Sequence, residues 1–349
     1  MAEEKKPPVQ VEIGRKASAE LNAEVRSSSR GRLADAFANV IRPFTESHGL
    51  RAGSSMVHDI GSMPDFRDNR PDDPISEIAM RVVIERSDWQ LEVIGTATLI
   101  AGHLAITARH VLEHAIRTYG ANHASGGIEV NAFELKLYQV LPGPIYRIWR
   151  VVSAWPCDTD IAILHLGLDR SSLPVEAIEW KQPRLRVLPP PVGQTIVAFG
   201  YRETAISVEE RDGGQHHIEL NDRPTTSIGK ITQVFPTGRD RVMLPFPCFE
   251  IEARFDPGMS GGIVIDEQGA LCGLICASLQ QSDPDAAPVS YVASLWPMLK
   301  TVISVDRGER YPKGLSYPLM DAAKDGLISV VDLQALAATR LEFSHFVDT

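Results

Sequence analysis

The spacing of apolar and polar positions divides the chain into three stretches. In residues 1–75, "SAELNAEVRSSSRGRLADAFANVIRPFTESHGL" carries apolar residues at roughly helical spacing and reads as helix ending near Pro43. The following "MPDFRDNRPDDPISE" is polar and proline-rich, a linker or surface loop. From residue 76 to 304 the pattern changes to short β-type runs: "IAMRVVIE", "EVIGTATLI", "LAITA", "ELKLYQV", "IYRIWRVV", "IAILHL", "TIVAFGY", "HHIEL", "IGKITQV", "CFEIEARF", "GIVID", "LCGLICASL" and "VSYVA". So many short strands at close spacing predict an all-β sandwich or barrel. A single core of that size would be unusual, so two β-units are expected, divided near 180–190. Inside this region only "TARHVLEHAIRTYG" has a long helical pattern, and "SLWPMLKTVIS" reads as a closing helix. Residues 305–349 are a polar stretch followed by a predicted helix in "ISVVDLQALAATRLEF".

Composition narrows the function classes. The 349 residues are 44% hydrophobic and 23% charged, as in ordinary globular proteins. A net charge of −10 argues against non-specific nucleic-acid binding, which depends on excess Lys and Arg. No run of about 18 apolar residues predicts a membrane span. The start, "MAEEKKPPVQVEIGRK", has no apolar core of a secretory signal. Four cysteines (Cys157, Cys248, Cys272, Cys276) are too few for a disulfide scaffold and read as small buried residues, so a cytoplasmic location is expected.

The stretch "FDPGMSGGIVID" places Ser260 inside a glycine cluster directly before an apolar run. A glycine turn between strands would account for that string alone. A serine hydroxyl becomes nucleophilic only when a base takes its proton, and the base must be held in one tautomer. His110 follows a strand-like run in "AITARHVLEH", and Asp160 opens an apolar strand in "CDTDIAILHL". An acid at the head of a buried strand can orient an imidazole. Glycines flanking a serine let backbone N–H groups approach a substrate oxygen, so the amides of Gly258 and Ser260 are the candidate oxyanion hole. The chain order His, Asp, Ser is that of chymotrypsin-type enzymes.

"TARHV", "DIAIL" and "PGMSGGIV" resemble the histidine, aspartate and serine motifs of the chymotrypsin/trypsin-like serine peptidases. The similarity is closest to the HtrA/Deg-type branch, and runs from about residue 77 to 303 through "VAFGY", "SIGKI", "GALCGLICASL" and "VSYVASLWPML". It implies two six-stranded β-barrels with His110, Asp160 and Ser260 in the cleft between them, a protein or peptide substrate and no cofactor. The helical segments expected at the N-terminal and C-terminal ends are additions to that fold. Arg254 falls where such enzymes line the floor of the primary specificity pocket, and would favour acidic side chains there. An arginine turned outward, or paired with Glu252 or Asp256, is the alternative. Cys276, Ala277 and Ser278 would form an open pocket wall.

The chain also departs from the family. Met259 stands where trypsin-like zymogens have an aspartate and HtrA-type enzymes usually have asparagine. HtrA-type enzymes usually add a PDZ domain, whereas residues 305–349 leave room only for a tail. That tail and residues 1–75 could dock a regulatory protein partner. A scaffold that keeps the barrels but does no chemistry is one competing function. Another is a zinc peptidase, because "HVLEH" fits H-x-x-E-H, with His110 and His114 as ligands, Glu113 as base, and Glu176 or Glu179 as third ligand. It leaves the contexts of Asp160 and Ser260 unexplained. His216 and His217, adjacent in a strand, point to opposite faces and make a poor metal pair. "DAAKDGLISVVD" puts Asp321, Asp325, Gly326 and Asp332 at calcium-loop positions, but Ala323 breaks the pattern and a capped helix start is the better reading.

Overall fold

The computed structural model describes residues 57–60, 63–68, 74–86, 90–119, 122–124, 127–129, 134–140, 146–168, 182–211, 215–279, 287–304 and 316–343. The helical pattern expected before residue 57 lies outside them, as do Glu176 and Glu179. The first described elements are strands β1 (Val57–Ile60) and β2 (Met63–Asp68), an antiparallel hairpin. This differs from the linker expected for "MPDFRDNRPDDPISE". A long strand of the second barrel projects an edge that needs a partner, and β2 supplies it. Phe66, the one aromatic residue of β2, is 2% exposed and anchors the hairpin.

The first barrel contains β3 (Ala79–Glu85), β4 (Leu91–Ala101) and β5 (Leu104–Thr107), then helix α1 (Arg109–Tyr119). A small hairpin follows, β6 (Asn122–Ala124) and β7 (Gly127–Glu129), and then β8 (Glu134–Val140), β9 (Tyr146–Pro156) and β10 (Ala162–Leu168). Neighbour order is β10-β5-β4-β3-β8-β9, and β10 pairs with β9, closing six strands; the hairpin hangs on β9. Closure leaves the barrel no open edge.

The second barrel contains β11 (Thr195–Arg211), β12 (Gln215–Phe235), β13 (Cys248–Ile251), β14 (Ile263–Asp266), β15 (Leu271–Leu279) and β16 (Val289–Ser294). Its order is β12-β11-β14-β15-β16-β13, closed by the β12–β13 pairing. "HHIEL" and "IGKITQV", read as two strands, are parts of β12. The polar run before Pro224 hid the continuity, and a register shift at Arg202/Ala205 in the partner strand accommodates it. Two closed six-stranded antiparallel barrels are therefore present.

Past the barrels, "SLWPMLKTVIS" forms only a short 3₁₀ turn, Trp296–Lys300, followed by β17 (Val302–Ser304). The β-branched Val302 and Ile303 favour a strand, which pairs with β18 (Ser316–Pro318). Helices α2 (Leu319–Lys324) and α3 (Leu333–Phe343) follow. Asp332, immediately before α3, accepts hydrogen bonds from the N–H groups of Val187 and Leu188 at 2.9 Å each. No described helix is long and apolar enough to cross a membrane.

One continuous core runs from the first barrel through Tyr201 and Leu274 to Leu319 and Ile328. A second lies inside the second barrel around Phe249, Met259 and Val292, and includes Phe66. Trp149, fully buried, donates its indole N–H to Gln139 Oε1 at 3.1 Å. Replacing Trp149 with Ala is expected to cost about 3–5 kcal/mol in urea unfolding. Val152→Ala, on the same strand but 57% exposed, should stay within about 0.5 kcal/mol of wild type.

Candidate active site

The site begins with α1. Its apolar side, Val111, Leu112 and Ala115, is buried against the first barrel. That orientation puts His110, at the helix start, on the rim with 42% of its side chain exposed. A helix N-terminus has N–H groups without internal partners. Asp160, at the entry to β10, supplies two of them: its carbonyl accepts from Arg109 N–H at 3.2 Å, and Oδ1 accepts from His110 N–H at 3.0 Å. Oδ2 lies 2.8 Å from His110 Nδ1. An ionised carboxylate only accepts, so Nδ1 carries the proton in this arrangement and Nε2 presents a lone pair. The helix dipole also favours a negative charge at this end. One aspartate, its side chain 11% exposed, thereby orients the helix, the ring and the tautomer.

The segment Phe255–Gly262 is fastened to both barrels. Thr96 of β4 makes three contacts with it or beside it. Its N–H donates to Ser260 O at 2.8 Å, its hydroxyl donates to Gly258 O at 2.9 Å, and that hydroxyl accepts from Tyr201 N–H at 3.1 Å. Behind it, Gly262 N–H closes on Met259 O at 2.8 Å, and Gly261 N–H donates to Ile275 O at 2.9 Å. Gly261 has φ +82°, and a Cβ there would sit 2.1 Å from Thr96 O and 2.9 Å from Ala108 N. No side chain fits, and the serine loop is thus brought against the chain two residues before His110. Gly258, at φ +93°, rests on Tyr201, whose carbonyl oxygen would be 2.6 Å from an added Cβ. The N–H groups of Gly258 and Ser260 donate to no other described residue.

The remaining candidates are placed as follows. Met259 is fully buried in the apolar interior of the second barrel, which explains a thioether where the family has a polar residue. Arg254 is 38% exposed and its Nε donates to Asp256 Oδ1 at 2.9 Å, the pairing left open from the sequence. On β15, Cys276 is buried and its thiol donates to Tyr291 O at 3.1 Å; Ala277 is half-buried and Ser278 exposed. In the zinc motif, Glu113 is paired with Arg109 at 2.8 Å, and His114 Nε2 lies 3.9 Å from Glu92. Among the described residues no three His, Cys, Asp or Glu side chains gather to hold a metal ion.

Sequence reading missed Thr96. The signal was present, since Thr96 and Thr98 are polar residues two apart in the otherwise apolar run from Val93 to Ala101, yet both are buried. They face the second barrel, where Thr98 Oγ1 reaches Gly261 O at 3.5 Å. It also missed Phe66 and Arg202, whose contacts depend on the β2–β12 pairing.

The paired barrels and the histidine–aspartate contact at their junction define the architecture of a chymotrypsin-like peptidase. The profile of the trypsin-like peptidase domain matches residues 95–274, just over half of the chain, and the chain belongs to that family. No curated protein matches the sequence. Among solved structures, the chain is similar to the Rv3671c protease of M. tuberculosis in its active form: 16% identity, TM-score 0.41, covering 71% of this chain and 92% of that one. It is also similar to the HtrA-type protease AlgW with a tripeptide, at 16% identity and TM-score 0.40, covering 65% of this chain and 59% of that one.

Thr96→Val keeps the shape of the side chain but deletes a hydroxyl bonded on both sides. It is expected to cost about 1–3 kcal/mol in denaturant unfolding, because the Tyr201 N–H and Gly258 carbonyl lose their partner. The thiols offer a second check. Burial pushes those of Cys157 and Cys248 up to about 11, and raises those of Cys272 and Cys276 well above the ordinary value. Thiolate is the reactive form, so native protein near pH ~8 should show no fast-reacting thiol with a disulfide reagent, and all four cysteines should react after denaturation.

Proposed function

We propose that the protein is a serine endopeptidase acting on protein or peptide chains through an acyl-enzyme. The observation that carries this reading is the two-point contact of Asp160 on His110, to Nδ1 at 2.8 Å and to the backbone N–H at 3.0 Å. It leaves Nε2 as the free base. Ser260 Oγ attacks the peptide carbonyl carbon while Nε2 takes its proton. The carbonyl oxygen, now negative, is met by the N–H groups of Gly258 and Ser260. Nε2 then returns the proton to the leaving amine as the carbon–nitrogen bond breaks. Water, activated by the same nitrogen, releases the acid from Ser260.

Asp160 keeps the ring in the productive tautomer and stabilises the imidazolium formed at each step. Selection of an acidic side chain by Arg254 is not part of this proposal, because its Nε is committed to Asp256. Four unpaired, buried thiols fit a reducing compartment, and cytoplasmic action is part of the reading. Control by a partner at residues 1–75 or 305–349 is compatible with it.

A fluorophosphonate probe tests the proposal. Wild-type protein is expected to be labelled on Ser260, and Ser260→Ala to lose labelling completely, with or without chelator. Asp160→Asn should reduce the rate by about 10³–10⁴-fold, because the ring is held in the wrong tautomer. Absence of labelling in wild type, alone and with cell extract, would favour the non-catalytic scaffold. Chelator-sensitive proteolysis that survives Ser260→Ala would point to the zinc chemistry.

A further inference from the structure

The two N–H donors of the proposed oxyanion hole stand on a turn that Asp256 closes. Its carbonyl oxygen accepts from Met259 N–H at 3.1 Å, and its own N–H lies 3.5 Å from Met259 Sδ. Its carboxylate is held on both sides. Oδ2 accepts from Arg202 Nη1 and Oδ1 from Arg254 Nε, each at 2.9 Å. The Arg202 side chain is only 4% exposed and that of Asp256 17%.

Arg202 is itself held by the N-terminal hairpin. Its guanidinium carbon lies 4.3 Å from the centre of the Phe66 ring, and that of Arg254 lies 5.4 Å from the same ring. Arg202 Nε donates to Thr225 Oγ1 at 3.2 Å, and Thr225 is the residue of β12 that pairs with Asp68 of β2. Gly258 lies against the same backbone: a Cβ on it would be 2.6 Å from Tyr201 O and 3.5 Å from Arg202 Cα. Any movement of Arg202 therefore shifts the surface on which a donor-bearing residue rests.

We propose that Phe66, Arg202 and Asp256 are positioning residues that hold the Gly258 and Ser260 N–H groups in place. Strand β2 of the N-terminal segment is then part of the catalytic apparatus. This rests on the peptidase reading of the same site. Net stability does not by itself call for such a cluster, since a buried ion pair is often matched by apolar residues of similar volume. What the pair adds is direction. Two guanidinium planes packed on one ring fix one carboxylate, and that carboxylate belongs to the residue that closes the turn. In a chain with Met259 next to the serine, no charge on that neighbour can do the same work. The cluster needs no cleaved N-terminus, because Phe66 reaches it from inside the chain.

The experiment uses the full chain with Phe66→Ala, Asp256→Asn and Ser260→Ala. It reads steady-state kinetics on a peptide ester, fluorophosphonate labelling, and amide hydrogen exchange. Displaced donors are expected to lower kcat by about 10–100-fold in Phe66→Ala, less than outright loss of a donor, with KM changed by under about threefold. Exchange in residues 256–262 should rise about tenfold or more, while α1 amides and the pH profile set by His110 stay as in wild type. Asp256→Asn should shift both readouts in the same direction.

Wild-type kcat together with wild-type exchange in Phe66→Ala would overturn the proposal, as would a fall in kcat matched by an equal loosening of α1. If wild type itself is not labelled, the peptidase reading fails, and exchange in residues 256–262 still decides whether Phe66 orders the turn. Should Phe66→Ala fail to fold, Arg202→Lys takes its place. It keeps the charge but loses the planar fork, and the same two readouts apply.

Discussion

Everything at the site depends on Thr96 joining one barrel to the serine loop of the other. Chemistry at a junction requires that a base from one body and a loop from another hold a fixed separation. Two closed barrels packed face to face could slide, because apolar contact has no direction. The N–H of Thr96 on Ser260 O and its hydroxyl on Gly258 O, both under 3 Å, remove that freedom. The same hydroxyl accepts from Tyr201, so the clamp also reaches the strand behind the loop. A hydroxyl is the smallest side-chain group that can both donate and accept, and valine, its isostere, can do neither.

On the first barrel the corresponding role falls to Asp160. A carboxylate normally has more acceptor capacity than one imidazole can use. Here the surplus goes into the start of α1, so the group that sets the tautomer also sets the helix that carries the ring. Helix position and ring orientation are thereby coupled, and neither can drift without breaking a bond to the same residue.

How much of this was legible in the sequence follows the range of the interactions. The barrel strands were visible because alternation and apolar runs are local properties, and "TARHV", "DIAIL" and "PGMSGG" are recognisable from adjacent letters. The start of α1 was legible for the same reason, but the bonds that fasten its first N–H groups to Asp160 were not. The β2 strand was not. A polar, proline-rich stretch has no periodicity, and its fold comes from an open edge more than 150 residues away together with one aromatic side chain. The pairing of Arg254 with Asp256 was open because spacing alone does not say which way a guanidinium turns. The expected closing helix kept only a 3₁₀ turn, and its end became a strand, since β18 offered a partner that local propensity could not foresee. Thr96 and Arg202 belong to the same class, residues whose meaning lies entirely in what another barrel or hairpin brings to them.

The contact between Asp332 and residues 187–188 has a topological consequence. Those residues lead into the second barrel, and just past its last strand Trp296 N–H donates to Val187 O at 3.1 Å. The chain thus enters and leaves that barrel at one place, which Asp332 then fastens from further along. Backbone bonds from Leu185 N–H to Ser329 O and from Val331 N–H to Leu185 O, at 2.7 and 2.9 Å, tighten the closure. The barrel is thus a loop of chain with its neck tied, as in a drawstring bag. A unit tied this way is expected to open as a whole or not at all, because fraying from either end must first undo the knot at the other. For a cleft with the serine loop on one wall and His110 on the other, that makes the wall itself a single mechanical object.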